Sequence, residues 1–224
     1  EVSSYHHGEA SLQDTIIGLS QTFVGSNNMN LLEPVGQFGT RLLGGKDSSS
    51  PRYIFTHLSK NFKNIFNSAD FSTSILNYLD DDGFSIEPSF YVPVLPLILI
   101  NGACGIGTGF STDVPCFNPD DLKDRLLKLV DDPDADIEEL TPWYKGFTGV
   151  ITKIEENRWM TKGVYKIESN KVTITELPIG TWTEDYKSHL DKLETENEIY
   201  SYINNSTETN VHFEIKIPLE NIIN

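Results

Sequence analysis

Positive charge is scarce in this chain. Lysine and arginine number 17 against 33 aspartates and glutamates, a net charge of −16 over 224 residues. So acidic a balance argues against a nucleic-acid binder unless the few cations are gathered in one place. Cysteine is scarcer still. Cys104 and Cys116 are the only two, too few for a disulfide framework or a four-cysteine zinc site. Long apolar runs are missing as well. The longest, Tyr91 to Ile100, is interrupted by Pro93 and Pro96 and falls short of the roughly 18 residues a membrane span needs. No basic-then-apolar leader opens the chain. Disorder is excluded from the other side, because 38% hydrophobic and 11% aromatic residues are more than a solvated acidic tail carries. The expectation is a soluble, intracellular globular protein or fragment, with material for one large domain or two of ordinary size.

The cations that exist are unevenly placed. Up to Thr112 there are five: Arg41, Lys46, Arg52, Lys60 and Lys63. Between positions 36 and 63 the only acid is Asp47, so this window carries +4, and no further Lys or Arg occurs until Lys123. A basic island on an acidic background can meet phosphate locally. The remainder carries 12 basic and 23 acidic residues, and its Asp131–Asp136 run reads as a solvated turn.

Periodicity predicts a helix over Ser11–Phe23, with Leu12, Ile16, Leu19 and Phe23 on one face, ended by Gly25-Ser-Asn-Asn. Residues 30–50 are glycine- and serine-rich loop. Pro51 suits the first turn of a second helix, whose buried face would be Ile54, Leu58, Phe62 and Ile65 or Phe66. Residues 90–100 read as buried strand. Asn101–Ser111, with its cluster of glycines, reads as a tight turn or hairpin tip. Pro119–Val130 and Thr183–Leu193 read as helices; the segments beginning at Gly149, Gly163 and Lys171, and Val211–Ile217, read as antiparallel strands.

Candidate chemistry is thin by pattern alone. The run from Gly36 to Asp47 is not a phosphate-binding P-loop, because Lys46 is followed by Asp47 rather than Ser or Thr. Gly105-Ile-Gly-Thr-Gly lacks the right third glycine of a dinucleotide fingerprint. Arg52-Tyr53 is more suggestive. A tyrosine hydroxyl, with an ordinary pKa of about 10, needs a neighbouring cation and a base to act as a nucleophile, and an arginine can also hold a phosphate in two-point contact. His6-His7 offers acid–base groups or metal ligands. Asp80-Asp-Asp-Gly83 lacks the later ligands of a calcium loop and reads as an exposed acidic turn.

Taken in order, the motifs resemble a known family. Tyr5-His-His-Gly-Glu, Phe23-Val-Gly-Ser-Asn-Asn, Leu31-Leu-Glu-Pro-Val-Gly-Gln-Phe-Gly-Thr-Arg, Gly44-Gly-Lys-Asp and Ser50-Pro-Arg-Tyr-Ile-Phe-Thr occur here in sequence. They are followed by Ile100-Asn-Gly-Ala-Cys-Gly-Ile-Gly-Thr-Gly, Pro142-Trp-Tyr-Lys-Gly-Phe-Thr-Gly and Glu176-Leu-Pro-Ile-Gly-Thr-Trp-Thr. Together they resemble the breakage-reunion core of eukaryotic-type DNA topoisomerase II, cellular or of large DNA viruses, over nearly the whole chain. The resemblance implies an α+β fold: a helical winged-helix domain over 1–95, then a mixed α/β tower domain with an antiparallel sheet over 96–224, the boundary uncertain by about 15 residues.

The resemblance also implies roles. Tyr53 would attack a DNA phosphate and stay joined to a 5′ end; Arg52 would stabilise charge on that phosphate; His7 would contact the same region or assist proton transfer. Arg41, Lys46 and Gln37 would touch DNA, and Ile106 would be a wedge between base pairs. The partners implied are double-stranded DNA, a second copy of the chain, and the metal-binding and ATPase domains of a longer polypeptide, with no membrane. The implied Mg2+ and ATP belong to those other domains, since the family's Glu and Asp-x-Asp metal cluster is not identifiable here. No cofactor or metal residue is therefore expected in this segment, and the segment alone is expected to lack strand passage. The implied location is the nucleus for a cellular source, or the host cytoplasm, viral factory and virion for a viral one. The rival reading is a non-catalytic scaffold that binds and bends DNA. A hydrolase built on His7 finds no Gly-x-Ser-x-Gly elbow.

Overall fold

The computed structural model describes residues 5–218; the outermost ends of both expected domains, 1–4 and 219–224, lie outside the described residues. Helix α1 (Glu9–Ser20) turns Ile17 inward against Phe38 and Ile54, which form a small core. It stops short of Phe23 because Gln21 leaves the helix in an extended conformation. Strand β1 (Leu32–Val35) pairs antiparallel with β2 (Phe55–Leu58), Leu32 opposite Leu58 and Val35 opposite Phe55. Between these strands lie the loop of residues 36–50 and one 3-10 turn, Pro51–Tyr53.

The helix expected from Pro51 therefore does not form. Its first turn exists, as the proline predicts, but Ile54 is extended at φ −124°, ψ 154°, and the chain continues as strand. A helix would have put Ile54 and Leu58 on one buried face. Instead Ile54 enters the core with Ile17 and Phe38, and Leu58 is 52% exposed. The β-branched Ile54 and Thr56 favour this extended choice, and β1 supplies the ladder partner. Helical geometry returns only as the single turn α2 (Phe62–Ile65), followed by a 3-10 turn at Ser68–Phe71.

Strands β3 (Tyr78–Asp81) and β4 (Phe84–Pro88) form a hairpin. Its two turn residues, Asp82 at φ 51° and Gly83 at φ 85°, are both left-handed, as a two-residue hairpin loop requires; this is the acidic turn the sequence marks. The strand expected over 90–100 is absent. Pro93 and Pro96 remove two ladder donors, Val92 and Val94 are exposed, and the segment ends in a helical turn, α3 (Leu97–Ile100). The glycine-rich hairpin does form, from β5 (Ala103–Gly107) and β6 (Phe110–Val114).

The rest matches its pattern closely. Helix α4 (Pro119–Asp131) is capped by the Asn118 side chain, which accepts from the Asp120 N–H. A hairpin of β7 (Val150–Glu155) and β8 (Arg158–Lys162) follows; the sequence pattern announces neither β8 nor the strand at Ser201–Asn204. Strands β9 (Val164–Glu168), β10 (Lys171–Glu176), β11 (Ser201–Asn204) and β12 (Phe213–Lys216) form one antiparallel sheet in the order β11-β12-β10-β9. Helix α5 (Thr183–Thr195) covers it, and Val172, Leu177, Leu190, Ile199, Val211, Phe213 and Ile215 make the largest core. The architecture is mixed α/β with antiparallel sheets, as expected.

One buried asparagine fixes the root of the β5–β6 hairpin. The Asn28 amide donates to the carbonyls of Ile100 (2.9 Å), Phe117 (3.1 Å) and Trp143 (2.9 Å), and its Oδ1 accepts from Lys145 N (2.8 Å). Beside it, Asn101 and the Met29 backbone exchange two hydrogen bonds. Ile100 and Phe117 bracket the hairpin and share a core with Leu122. Cys116 lies in this root, its thiol pushed up to about 11 by burial, whereas Cys104, opposite Asp113 in the hairpin, is exposed.

Replacing Asn28 by alanine strands three carbonyls and the Lys145 N–H. At about 1 kcal/mol or more for each unsatisfied group, Asn28→Ala is expected to cost roughly 4 kcal/mol in urea unfolding and to make Cys116 react with iodoacetamide under native conditions. An unchanged midpoint with Cys116 still protected would contradict this.

Candidate active site

Tyr53 is held outward because its neighbour is held inward. The 3-10 turn fixes the Tyr53 N–H on Ser50 O at 2.9 Å. Ile54 is then drawn into the core, and the Tyr53 side chain is left 71% exposed. The Arg52 guanidinium carbon lies 5.7 Å from the Tyr53 ring centroid, within cation–π range. A solvent-facing phenol therefore stands beside a cation on a short, anchored turn.

The loop of residues 36–50 is strapped together next to this turn. Asp47 accepts from both the backbone N–H (2.8 Å) and the hydroxyl (2.5 Å) of Thr40. Ser49 N donates to Gln37 O at 2.9 Å, and the Gln21 amide of the helix end donates to Phe38 O and Gly45 O. Asp47, the lone acid of the basic window, is thus committed to loop shape. Lys46, next to it, is exposed. Gln37 is half-buried; its Oε1 accepts from Gly39 N and its amide donates to Glu208 at 3.5 Å.

Arg41 is the departure. Expected to face DNA, it is 5% exposed and its Nη2 donates to Glu176 Oε1 at 2.6 Å. Glu176 is equally buried, at 3%; Oε1 also accepts from Leu177 N (2.9 Å), and Oε2 accepts from Thr148 N (3.2 Å) and Oγ1 (3.1 Å). The reason is desolvation: the carboxylate at the end of β10 needs a cation, and Arg41 supplies it from 135 positions away. The same corner grips the loop by its backbone, with Thr183 N on Arg41 O and Glu184 N on Leu42 O. It also packs the Trp182 indole so tightly on Gly44 that a Cβ there would lie 2.2 Å from the ring. Gly44 has φ +61°, so glycine is required twice over.

His7 is exposed just before α1, with Tyr5 meeting its ring edge-on at 5.7 Å between centroids. Ile106 is 91% exposed on the β5–β6 hairpin. The structure thus brings Arg52 and Tyr53 together, sets Lys46 and Gln37 in the adjoining strapped loop, and removes Arg41 to the interior. Among the described residues no three His, Cys, Asp or Glu side chains converge as a metal site, and no helix is long and apolar enough to cross a membrane.

The family model for the A subunit of DNA gyrase/topoisomerase IV matches residues 1–222. The chain belongs to that family. Within it, the chain is 47% identical over 215 residues to a protein named DNA topoisomerase 2, mitochondrial, of Dictyostelium discoideum, covering 96% of this chain and 16% of that protein. It is 46% identical over 222 residues to DNA topoisomerase 2 of Plasmodium falciparum, covering 97% of this chain and again 16% of the relative. The crystal structure of the Plasmodium falciparum topoisomerase II DNA-binding, cleavage and re-ligation domain superposes with a TM-score of 0.93 at 46% identity, over 99% of this chain and 30% of that one. The chain therefore spans only a small part of the relatives it matches.

Sequence reasoning missed the two residues that hold the basic loop of this gyrase/topoisomerase family member, Glu176 and Trp182. Both lie in the motif from Glu176 to Thr183, which carried the resemblance but had no assigned work. A single acid at the end of a strand, directly before Leu-Pro, was the available signal.

The two cations of the loop are predicted to differ. Arg41→Ala leaves a buried carboxylate unpaired, and is expected to destabilise the fold by about 3–5 kcal/mol in urea unfolding. Lys46→Ala, at an exposed position, is expected to leave the midpoint unchanged. Equal effects from the two substitutions would contradict the assignment.

Proposed function

We propose that this chain is the DNA-cleavage segment of an ATP-dependent type II DNA topoisomerase, with a winged-helix part before about residue 95 and a tower part after it. The observation that carries the reading is the exposed Tyr53 beside Arg52 on an anchored turn, in a chain whose relatives bear the name DNA topoisomerase 2. The Tyr53 oxygen attacks a backbone phosphorus of double-stranded DNA. The bond to the 3′ oxygen breaks, that oxygen leaves with a proton as a free hydroxyl, and a phosphotyrosyl bond to the 5′ side forms. The energy of the broken bond is kept in the new one, so the reverse attack reseals the strand without a ligase. A second copy of the chain cuts the opposite strand, which makes the working enzyme a homodimer and opens a gate for another duplex.

Each side chain has a defined task on this reading. Arg52 stabilises negative charge on the reacting phosphate. His7 contacts the same phosphate or takes the phenolic proton. Lys46 and Gln37 hold the flanking backbone, and Lys60 and Lys63, both exposed, extend the positive track. Arg41 acts instead by holding the loop. Ile106, almost fully exposed on a slim hairpin, unstacks a base step and bends the duplex. Magnesium and ATP enter this family's reaction as the resemblance implies. Both are assigned to other domains of the longer polypeptide; among the described residues no three His, Cys, Asp or Glu side chains converge as a metal site. For a cellular source the location that follows is the nucleus.

The test uses the full-length parent protein with supercoiled plasmid, magnesium and ATP, trapped with detergent. Tyr53→Phe is expected to lower the covalent protein–DNA adduct to background while DNA affinity changes by less than about threefold, because only the attacking oxygen is lost. An adduct that survives Tyr53→Phe would contradict the nucleophile assignment. No adduct even from the unsubstituted protein would favour the scaffold reading.

A further inference from the structure

The β5–β6 hairpin carries a second outward apolar side chain that no role yet uses. Ile106 at 91% and Phe110 at 83% are the two most exposed large hydrophobic residues among those described. Register places them one rung apart: Ile106 pairs with Ser111, and Gly107 with Phe110. Directly opposed residues share a face and successive residues alternate. Ile106 therefore points to one side of the ribbon and Phe110 to the other.

The Phe110 face is otherwise slim near the tip, consisting of Gly105, Gly107 and Thr112. A Cβ added at Gly105 would meet nothing within 4 Å, and one at Gly107 would meet only the Phe110 carbonyl, at 3.9 Å. The phenyl ring therefore does not fold back over its own ribbon. Among the described residues no further strand pairs with the hairpin, and leaving an aromatic ring in water at its tip forgoes the burial that usually places phenylalanine inside. Whatever surrounds Ile106 also reaches Phe110, because the two are on neighbouring rungs of a ribbon only two strands wide. Apolar wedges enter the duplex from the minor groove, about 6 Å wide before distortion, and a ribbon tip with no other large side chain suits that entry.

We propose that Phe110 is a second DNA-contacting side chain of the hairpin. Ile106 enters the base step, and the Phe110 ring packs from the opposite face against sugars and base edges of the minor groove beside the kink, holding the duplex in its bent form. The inference rests on the topoisomerase reading above and adds a specificity-determining contact to it, since a ring seated in a distorted groove favours sequences that distort easily.

The experiment measures affinity and bend angle for a short duplex labelled with a fluorophore at each end, using the full-length enzyme at several salt concentrations. Phe110→Ala is expected to weaken binding at least fivefold and to reduce the bend. The slope of log affinity against log salt should stay the same, because that slope counts phosphate contacts and Phe110 makes none. Phe110→Leu should recover part of both losses. If Phe110→Ala binds and bends like the unsubstituted enzyme while Ile106→Ala does not, this inference falls and the topoisomerase reading stands. A changed salt slope in Phe110→Ala would also overturn it, by showing that phosphate contacts had shifted. An unsubstituted enzyme that neither binds nor bends the duplex would overturn the functional reading itself.

Discussion

The carboxylate of Glu176 is the constraint around which the molecule is arranged. A buried charge is tolerable only when a counter-charge and enough hydrogen bonds replace its water. Here Arg41, Leu177 and Thr148 supply them. Each partner comes from a different part of the chain: the glycine-rich loop, the start of the β10–α5 corner, and the approach to the β7–β8 hairpin. Satisfying one carboxylate therefore joins the first half of the sequence to the second. It also fixes the backbone that leads through Lys46 to Arg52 and Tyr53.

A second clamp acts in the same way on the β5–β6 hairpin. Asn28 and Asn101 bind the root of the β5–β6 hairpin to the chain just after α1. The tip can then expose Ile106 and Phe110 without support of its own, although an isolated two-stranded hairpin is only marginally stable. Both features follow one pattern. A polar side chain, buried and fully bonded, uses its hydrogen bonds to hold a segment whose neighbouring residues face outward. At the Pro51–Tyr53 turn the same division is made between adjacent residues, Ile54 inward and Tyr53 outward.

Much of this was legible in the sequence, and the failures have physical causes. Helices α4 and α5, the strands β7, β9, β10 and β12 and the glycine hairpin were readable because their patterns are local. The helix expected after Pro51 was not a local matter. Ile54 and Leu58 have helical spacing, but β1 offered a ladder and the Ile17–Phe38 core offered Ile54 a better site, so tertiary packing decided. The strand expected across Pro93 and Pro96 weighed apolar content over missing donors. Arg41 looked like one more cation of a basic island because its partner lies at position 176. Of the five cations of the basic island, the structure leaves Lys46, Arg52, Lys60 and Lys63 exposed and takes Arg41 inside, a division that the net charge of −16 does not disclose. The Arg52–Tyr53 pair was legible only through the run of motifs around it, because an Arg beside a Tyr has no meaning by itself.

The central claim is that Tyr53 provides the oxygen of the DNA linkage, and mapping the adduct tests it most directly. Covalent complexes of the full-length protein, trapped during plasmid cleavage, are digested with nuclease and protease, and the nucleotide-bearing peptide is sequenced by tandem mass spectrometry. The account predicts a 5′-linked nucleotide phosphate on Tyr53. A nucleotide on any other residue, or one joined through a 3′ phosphate, would contradict it.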